Sequence, residues 1–195
     1  MNADKPFLDP SQDTDVAWAR RKEAILATLK MFRMALDAVR RHSEWVESRH
    51  GISAVELWAL WELTQTPGLR AVDLAKAMAL PRTSAESLLD GLVKRGLARQ
   101  STDSGADGPK LFFTTFDGQR IADASPQYGQ GVLKAAMGSL PDSSLVKLAE
   151  AISDLVQNLP FCEQSAALQP MAELLRPGGA QPVSAPAISA PPPSF

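Results

Sequence analysis

The chain has 195 residues, an apolar share of 45% and a formal net charge of −2. It contains no apolar run of the 18 or more residues that a membrane span requires and no signal-like start, so we expect a cytoplasmic protein without a membrane partner. Its single cysteine, Cys162, excludes an internal disulfide framework. The basic excess lies in residues 16–50, whereas residues 51–120 carry equal numbers of basic and acidic side chains.

A long N-terminal helix is predicted over residues 15–50, after a polar, flexible N-terminus at 1–14. Apolar side chains recur along it every three, four or seven residues, at Trp18, Ile25, Leu29, Phe32, Leu36 and Val39. A stripe of this length favours a subunit interface over packing on its own domain. His42 and His50 are two turns apart, too far for one metal ion, and we interpret both as surface residues.

Three shorter helices are predicted next. The first carries Trp58 and Trp61 and ends at Thr66-Pro67-Gly68. The second runs from about Leu69 to Ala79, and the third from Pro81 to Arg95. Proline suits a first helical position, and Gly96 suits a left-handed cap.

Two strands, 97–102 and 110–115, follow around a glycine-rich tip at 103–109. Three helices and a two-stranded ribbon over residues 53–115 are typical of a winged helix-turn-helix. In such a unit the third helix faces a DNA major groove and the ribbon reaches toward the backbone or minor groove. The pattern therefore indicates a binding module.

Helical spacing returns after the ribbon. Thr115 is a suitable N-cap, the stretch 125–131 is a predicted break, and a strong helix runs from Pro141 to Leu159. Residues 160–195 are predicted to form a largely disordered tail rich in proline and alanine, with at most a short helix at 170–176.

This order of elements, with five sequence fragments, resembles the multiple-antibiotic-resistance regulator (MarR) family over about residues 20–158. The fragments are Glu56–Leu63, Asp73-Leu74-Ala75, Leu88-Leu89-Asp90, Lys94–Leu97 and Thr115–Gly118. The resemblance implies a mainly α fold with a small β-wing and a MarR-like domain over 15–159. It also implies a homodimer, in which helices 15–50 and 116–159 form the dimerisation region.

The same resemblance suggests which residues would contact double-stranded DNA. On the third helix and the ribbon they are Arg82, Thr83, Ser84, Glu86, Ser87, Lys94, Arg99 and Lys110. Basic side chains would neutralise phosphates, and Glu86 would accept a hydrogen bond from a cytosine amino group. Where the family has an Asp-Arg-Arg signature in the wing, this chain has Asp107-Gly108-Pro109. Ordinary surface charge remains the alternative interpretation of the basic residues.

The family's ligands, often aromatic acids, bind between the dimer interface and the DNA-reading lobe. This position predicts a site near Trp58 and Trp61, with Arg20, Arg21 and Arg33 as carboxylate partners. Solvated surface arginines are the alternative interpretation of these three residues.

No catalytic motif, metal-ligand spacing or cofactor loop is found, so we expect neither an enzyme nor a cofactor protein. Cys162 has no basic neighbour in sequence to lower its pKa, which favours an inert thiol over a redox sensor. Two functions remain. The first is a ligand-responsive, DNA-binding transcription regulator. The alternative is a winged-helix protein-interaction module, an adaptor or anti-regulator, that has weakened or lost DNA binding.

Overall fold

The computed structural model describes residues 10–102, 108–125, 128–160 and 162–171, with side chains from residue 16 onward. Its helices are α1 (Pro10–His50), α2 (Ala54–Gln65), α3 (Ala71–Met78), α4 (Arg82–Lys94), α5 (Phe116–Asp123), α6 (Val132–Gly138) and α7 (Asp142–Gln157). Two antiparallel strands, β1 (Ala98–Thr102) and β2 (Lys110–Thr114), lie between α4 and α5 in sequence. The mainly α fold with a small β-wing is confirmed.

The chain divides into two compact units, Met1–Ala38 and Val39–Phe195. In the first unit α1 begins at Pro10, earlier than the predicted start at Asp15, so the predicted flexible segment 1–14 is helical in its last residues. Proline is tolerated in the first helical turn because its missing N–H would have no partner there. Residues 1–9 lie outside the described part of the chain. No described helix combines the length and apolar character that a membrane crossing requires.

The winged unit starts at a well-capped helix. The Ser53 hydroxyl accepts a hydrogen bond from the Glu56 backbone N–H at 3.2 Å, and the Glu56 carboxylate accepts one from the Ser53 backbone N–H at 2.7 Å. This reciprocal cap stabilises a helix by about 1 kcal/mol. Arg95 stabilises the same start of α2, because its guanidinium donates hydrogen bonds to Glu56 at 3.0 Å and to the Gly51 carbonyl at 2.6 Å.

The observed starts of α3 and α4 differ from the predicted ones by two residues and one residue. Leu69 lies outside α3 because its carbonyl accepts a hydrogen bond from the Phe112 backbone N–H of β2 at 3.0 Å. Pro81 is the N-cap of α4, not its first helical residue. The left-handed backbone predicted for Gly96 is present, with φ of 71°. Ala79 also adopts a left-handed φ of 54°, where it ends α3 and turns the chain toward α4.

One apolar core holds the winged unit together. Its largest fully buried side chains come from α1, the α1–α2 connection, α2, α3 and α4, and are Val46, Ile52, Leu57, Leu60, Leu63, Leu74, Leu89 and Leu92. Phe112 of β2 and Ala122 of α5 close the same cluster. Packing of the apolar faces of α2, α3 and α4 in this core therefore fixes the orientation of α4 and of the wing.

The helix after the wing is fixed by close packing. Thr115 caps α5 as predicted, accepting a hydrogen bond from the Gly118 backbone N–H at 3.2 Å. A Cβ atom on Gly118 would overlap the Leu97 carbonyl oxygen, so glycine permits α5 to lie directly against the chain entering β1. The predicted break follows α5, and Gly131 at φ 91° starts α6.

The end of the described chain differs from the predicted disorder. A short 3-10 helix forms at Gln164–Leu168, and the chain continues through Gln169 and Pro170 to Met171. Residues 172–195, which include most of the predicted short helix at 170–176 and the rest of the tail, lie outside the described residues.

Candidate functional site

Helix α4 presents a polar face opposite its apolar one. Ala85, Leu89 and Leu92 are buried in the core. Because these positions set the rotation of the helix, the polar residues on its other side point away from the core. Those predicted to face DNA are exposed or half-buried, namely Arg82, Thr83, Ser84, Glu86, Ser87 and Lys94.

The charges on this face partly neutralise one another. Arg82 Nε donates to Glu86 Oε1 at 2.8 Å, one helical turn along α4, although the Arg82 side chain is 72% exposed. Arg70, at the start of α3, donates to both oxygens of Asp73, at 2.7 and 3.1 Å. These hydrogen bonds hold the pKa of Asp73 below its usual value and raise that of Arg70. Exposed pairs of this kind contribute little to stability, so phosphates can compete for either arginine.

A cleft of about 510 Å³ separates α4 from the wing. Its walls bring together basic, acidic and apolar side chains, including Arg70, Arg82, Lys110, Glu86, Asp90 and Phe112. Two predicted contact residues, Arg82 and Lys110, therefore line one cleft from opposite sides, one on α4 and one at the start of β2. The acidic side chains in the same walls make this a mixed and not a uniformly basic surface.

Arg99 occupies the exposed face of the wing. Its guanidinium carbon lies 4.4 Å from the centroid of the Phe113 ring, its partner across the β1–β2 ladder. A guanidinium stacked on an aromatic ring keeps its charge and most of its donors, while the ring restricts its motion. Most of the wing tip, residues 103–107, lies outside the described residues.

A second cavity, of about 220 Å³, lies in the same unit. We call it the apolar cavity; it is lined by α1, α2, α6 and the C-terminal segment, through residues including Val39, His42, Val55, Trp58, Met137 and Met171. Trp58 thus lies where a ligand contact was predicted. Trp61 does not line this cavity: its ring packs on Gly129, where a Cβ atom would overlap it.

Glu62 binds three polar groups at the edge of the apolar cavity. Its Oε1 accepts hydrogen bonds from Trp58 Nε1 at 2.8 Å and from Gln130 Nε2 at 2.9 Å. Lys134 Nζ lies 3.9 Å from the same oxygen and 4.8 Å from the centroid of the Trp58 ring. This network fixes the Trp58 ring and places one cation at the cavity wall.

His42 is the buried polar group of this cavity. The sequence interpretation of His42 and His50 as surface histidines is wrong, because both are half-buried and, in the described part of the chain, neither Nε2 has a hydrogen-bond partner. Burial lowers the pKa of His42. Burial, followed by the charge of Arg49, lowers that of His50. His42 therefore lines the cavity with its ring, while its Nε2 is buried from solvent and has no partner among the described residues.

Sequence reasoning missed His42, Gln130 and Lys134, which spacing along one helix does not connect to Trp58. The predicted carboxylate partners, Arg20, Arg21 and Arg33, are exposed side chains of α1 in the first unit. Among the described residues no group of three histidine, cysteine or acidic side chains forms a metal site. Cys162 is exposed.

Comparison with known families gives one match. Residues 50–108 match the model of the MarR family, which confirms the predicted resemblance over the winged unit. No curated protein matches the sequence.

Several solved structures are similar to the chain. A MarR family protein from Bacillus stearothermophilus is 18% identical, with 70% of this chain and 95% of that chain covered and a TM-score of 0.45. The S. aureus MepR–DNA complex is 19% identical, with 67% and 94% covered and a TM-score of 0.48. The reduced form of MarR from E. coli is 20% identical, with 67% and 95% covered and a TM-score of 0.45.

Proposed function

We propose that this chain, whose winged unit matches the MarR family, is a DNA-binding transcription regulator and not an enzyme. The observation that carries the proposal is the placement of α4. Its apolar side is fixed in the core, and Arg82, Thr83, Ser84 and Ser87 are left outward on a helix flanked by a β-wing. A helix presented in this way enters a major groove with its N-terminal residues toward the bases. The proposal includes the cytoplasmic location expected from the sequence.

The proposed regulator is a homodimer. Helix α7 has no buried residue and exposes a complete apolar face, formed by Leu145, Leu148, Ile152, Leu155, Val156 and Leu159 with the turn that follows it. The first-unit part of α1 exposes a second apolar stripe. Large apolar surfaces on helices are typical of obligate interfaces, and two copies of one chain would cover them. A dimer also suits DNA, because it presents two reading helices to two half-sites.

The apolar cavity supports the proposal of a small aromatic or acidic ligand. Trp58 and Met137 provide apolar walls, and Lys134 Nζ supplies one cation. An aryl carboxylate would place its ring against these apolar walls and its carboxylate near Lys134, where it would compete with Glu62 for the Lys134 ammonium. Titration with benzoate, followed by tryptophan fluorescence, tests the proposal: a saturable change is expected in the wild type and a weaker one in Lys134→Gln.

A second candidate function is a winged-helix protein-interaction module. The observation that favours it is the pairing of Arg70 with Asp73 and of Arg82 with Glu86, in walls that also contain Asp90. Such a surface offers DNA few unpaired cations, and its mixture of charges suits a protein surface of complementary pattern. Arg99 and Lys94 remain exposed in either case.

A binding titration against genomic duplex fragments at several salt concentrations separates the two functions. A DNA-binding regulator enriches particular fragments, and its affinity falls steeply with salt because phosphate contacts release counterions. Absence of salt-dependent binding to any fragment rejects the first function and leaves the second. Pull-down through α4, with Glu86→Arg as the matched variant, then tests the protein partner.

A further inference from the structure

The C-terminal segment connects the two candidate sites within one chain. We call Gln164–Met171, which comprises the 3-10 helix and the residues after it, the strap. The strap lines an open groove at the N-terminal end of α4, through Ser165, Leu168, Gln169 and Pro170. It also lines the apolar cavity, through Pro170 and Met171. Pro170 belongs to both walls.

On the α4 side, the strap lies beside residues proposed to read DNA. Thr83, Ser84 and Ser87 line the groove opposite Leu168 and Gln169, and Val55, Leu80 and Leu88 give it an apolar wall. A duplex that takes the N-terminal end of α4 into its major groove needs the space around Thr83, Ser84 and Ser87. The docked strap and the duplex therefore compete for one end of α4.

On the cavity side, the strap completes the wall that a ligand would touch. Met171 and Pro170 line the apolar cavity together with His42, Trp58 and Met137. A ligand that fills this space gains contacts with the strap only while the strap is docked. Ligand binding therefore favours the docked strap.

The strap is held weakly enough to move. Its hydrogen bonds include two local ones, from the Ala166 N–H to the carbonyl of Glu163 just before the strap and from the Gln169 N–H to the Ala166 carbonyl, both at 3.1 Å. Leu168 remains 49% and Met171 46% exposed. Segments with shallow apolar contacts and local hydrogen bonds open at a small free-energy cost.

We propose that the strap couples the apolar cavity to the reading helix: a ligand in the cavity holds the strap against α4, and the docked strap excludes DNA. The inference rests on the proposed function. It assigns Leu168 as the contact that blocks α4 and Met171 as the contact that responds to the ligand. Linkage requires the effect to be reciprocal, so bound DNA weakens ligand binding by the same factor by which the ligand weakens DNA binding.

The test uses the full chain, benzoate as the probe and the duplex that the wild type enriches most. In the wild type, benzoate should weaken duplex binding by about 5-fold or more, the lower range of measured couplings. Leu168→Ser should bind the duplex more tightly without benzoate and lose most of the benzoate effect. Met171→Ala should reduce the benzoate effect through weaker ligand contact. Ala167→Ser is the matched control, since Ala167 is exposed in the same segment and lines neither cavity.

Hydrogen exchange of the backbone amides measures the opening of the strap directly and without DNA. Benzoate should slow exchange at residues 164–171 in the wild type and in Ala167→Ser, but not in Met171→Ala. Two results overturn the inference: duplex affinity and benzoate response that are the same in Leu168→Ser as in the wild type, or strap exchange that benzoate leaves unchanged. A wild type that binds no duplex at any salt concentration overturns the proposed function instead, and strap protection by benzoate still tests the cavity contact.

Discussion

Glu86 determines how much of the positive charge of Arg82 is available to DNA. The two side chains are joined at 2.8 Å, and both are exposed to solvent. A carboxylate at this position repels phosphates and holds the nearest cation, while its oxygens can accept a hydrogen bond from cytosine. Glu86 is therefore expected to lower the affinity for DNA of any sequence and to raise the preference for sites that present a cytosine.

We expect Glu86→Gln to raise affinity for arbitrary duplexes several-fold and to weaken sequence preference, because Arg82 is freed and a repulsive charge is removed. Arg82→Ala should lower affinity and reduce the slope of log affinity against log salt by about 0.9, the effect of one lost phosphate contact. The measurement is a salt series by fluorescence anisotropy. Glu44→Gln is the matched control, because Glu44 forms the same i,i+4 pair with Arg40 on α1. Equal binding by Glu86→Gln and the wild type would contradict the prediction.

His42 and His50 should make stability depend on pH in the weakly acidic range. Burial lowers the pKa of both below the ordinary value of 6.5. The unfolded chain therefore binds protons at a higher pH than the folded chain does. Full stability is present above pH 6.5 and is lost as the pH falls from there through the lower folded values.

Urea unfolding between pH 7.5 and 5 measures this loss. His42→Gln should flatten the pH dependence, because glutamine has no proton to take up when the protein unfolds. His50→Gln should flatten it as well, because burial and the charge of Arg49 both lower the pKa of His50 in the folded chain. A wild-type stability that is constant across this range would rule out the buried, uncharged state of His42.

At the scale of elements, the wing is joined to α5 by the contact between Gly118 and Leu97. The first turn of α5 lies on the Leu97 carbonyl, and the Thr115 backbone N–H donates to the same oxygen at 3.1 Å. Leu97 is itself buried, where the chain enters β1. A side chain larger than hydrogen at position 118 must therefore displace backbone and not merely a flexible side chain.

Gly118→Ala should lower the free energy of unfolding by about 1–3 kcal/mol or more, because overpacking against backbone cannot relax locally. Gly91→Ala is the matched control. Gly91 lies within α4, where a Cβ atom meets nothing within 4 Å. Alanine there should stabilise the protein by roughly 0.5–1 kcal/mol through helix propensity. Urea unfolding compares the two variants, and equal effects of the two would contradict the packing argument.

At the scale of the whole molecule, the exposed apolar faces are the surfaces that the proposed dimer would cover. The face on α7 and the stripe on the first-unit part of α1 each expose several large apolar side chains. Large exposed apolar surfaces usually mark sites of protein–protein contact. We expect sedimentation at micromolar concentration to give twice the chain mass. Ile152→Asp should shift the equilibrium toward monomer, because a charge would be buried without a partner at the interface.

Phe116→Asp is the control for this experiment. Phe116 is the most exposed large apolar residue described, at 83%. It lies at the start of α5, inside the region 116–159 that the family resemblance assigns to dimerisation but outside the two apolar faces proposed here. The substitution should leave the mass unchanged. A wild type that sediments as a monomer would exclude the dimer.

The sequence by itself determined the local order of this protein. Apolar periodicity located the winged unit, and Gly96 and Thr115 marked helix ends that the structure forms as predicted. These features depend on residues at most a few positions apart, so one chain segment contains the whole physical cause. The Arg82–Glu86 pair also belongs here, because i,i+4 spacing on a helix brings the two side chains together.

Only the tertiary structure determined which residues of distant chain segments lie next to one another. Glu62 meets Gln130 and Lys134 from a distant part of the chain, and His42 loses its solvent through packing. The strap lies between the apolar cavity and α4, although composition predicted disorder for this segment. Contacts between distant segments depend on how the elements pack and not on local spacing. Burial and the composition of the cavity walls could therefore be read only after the elements were assembled.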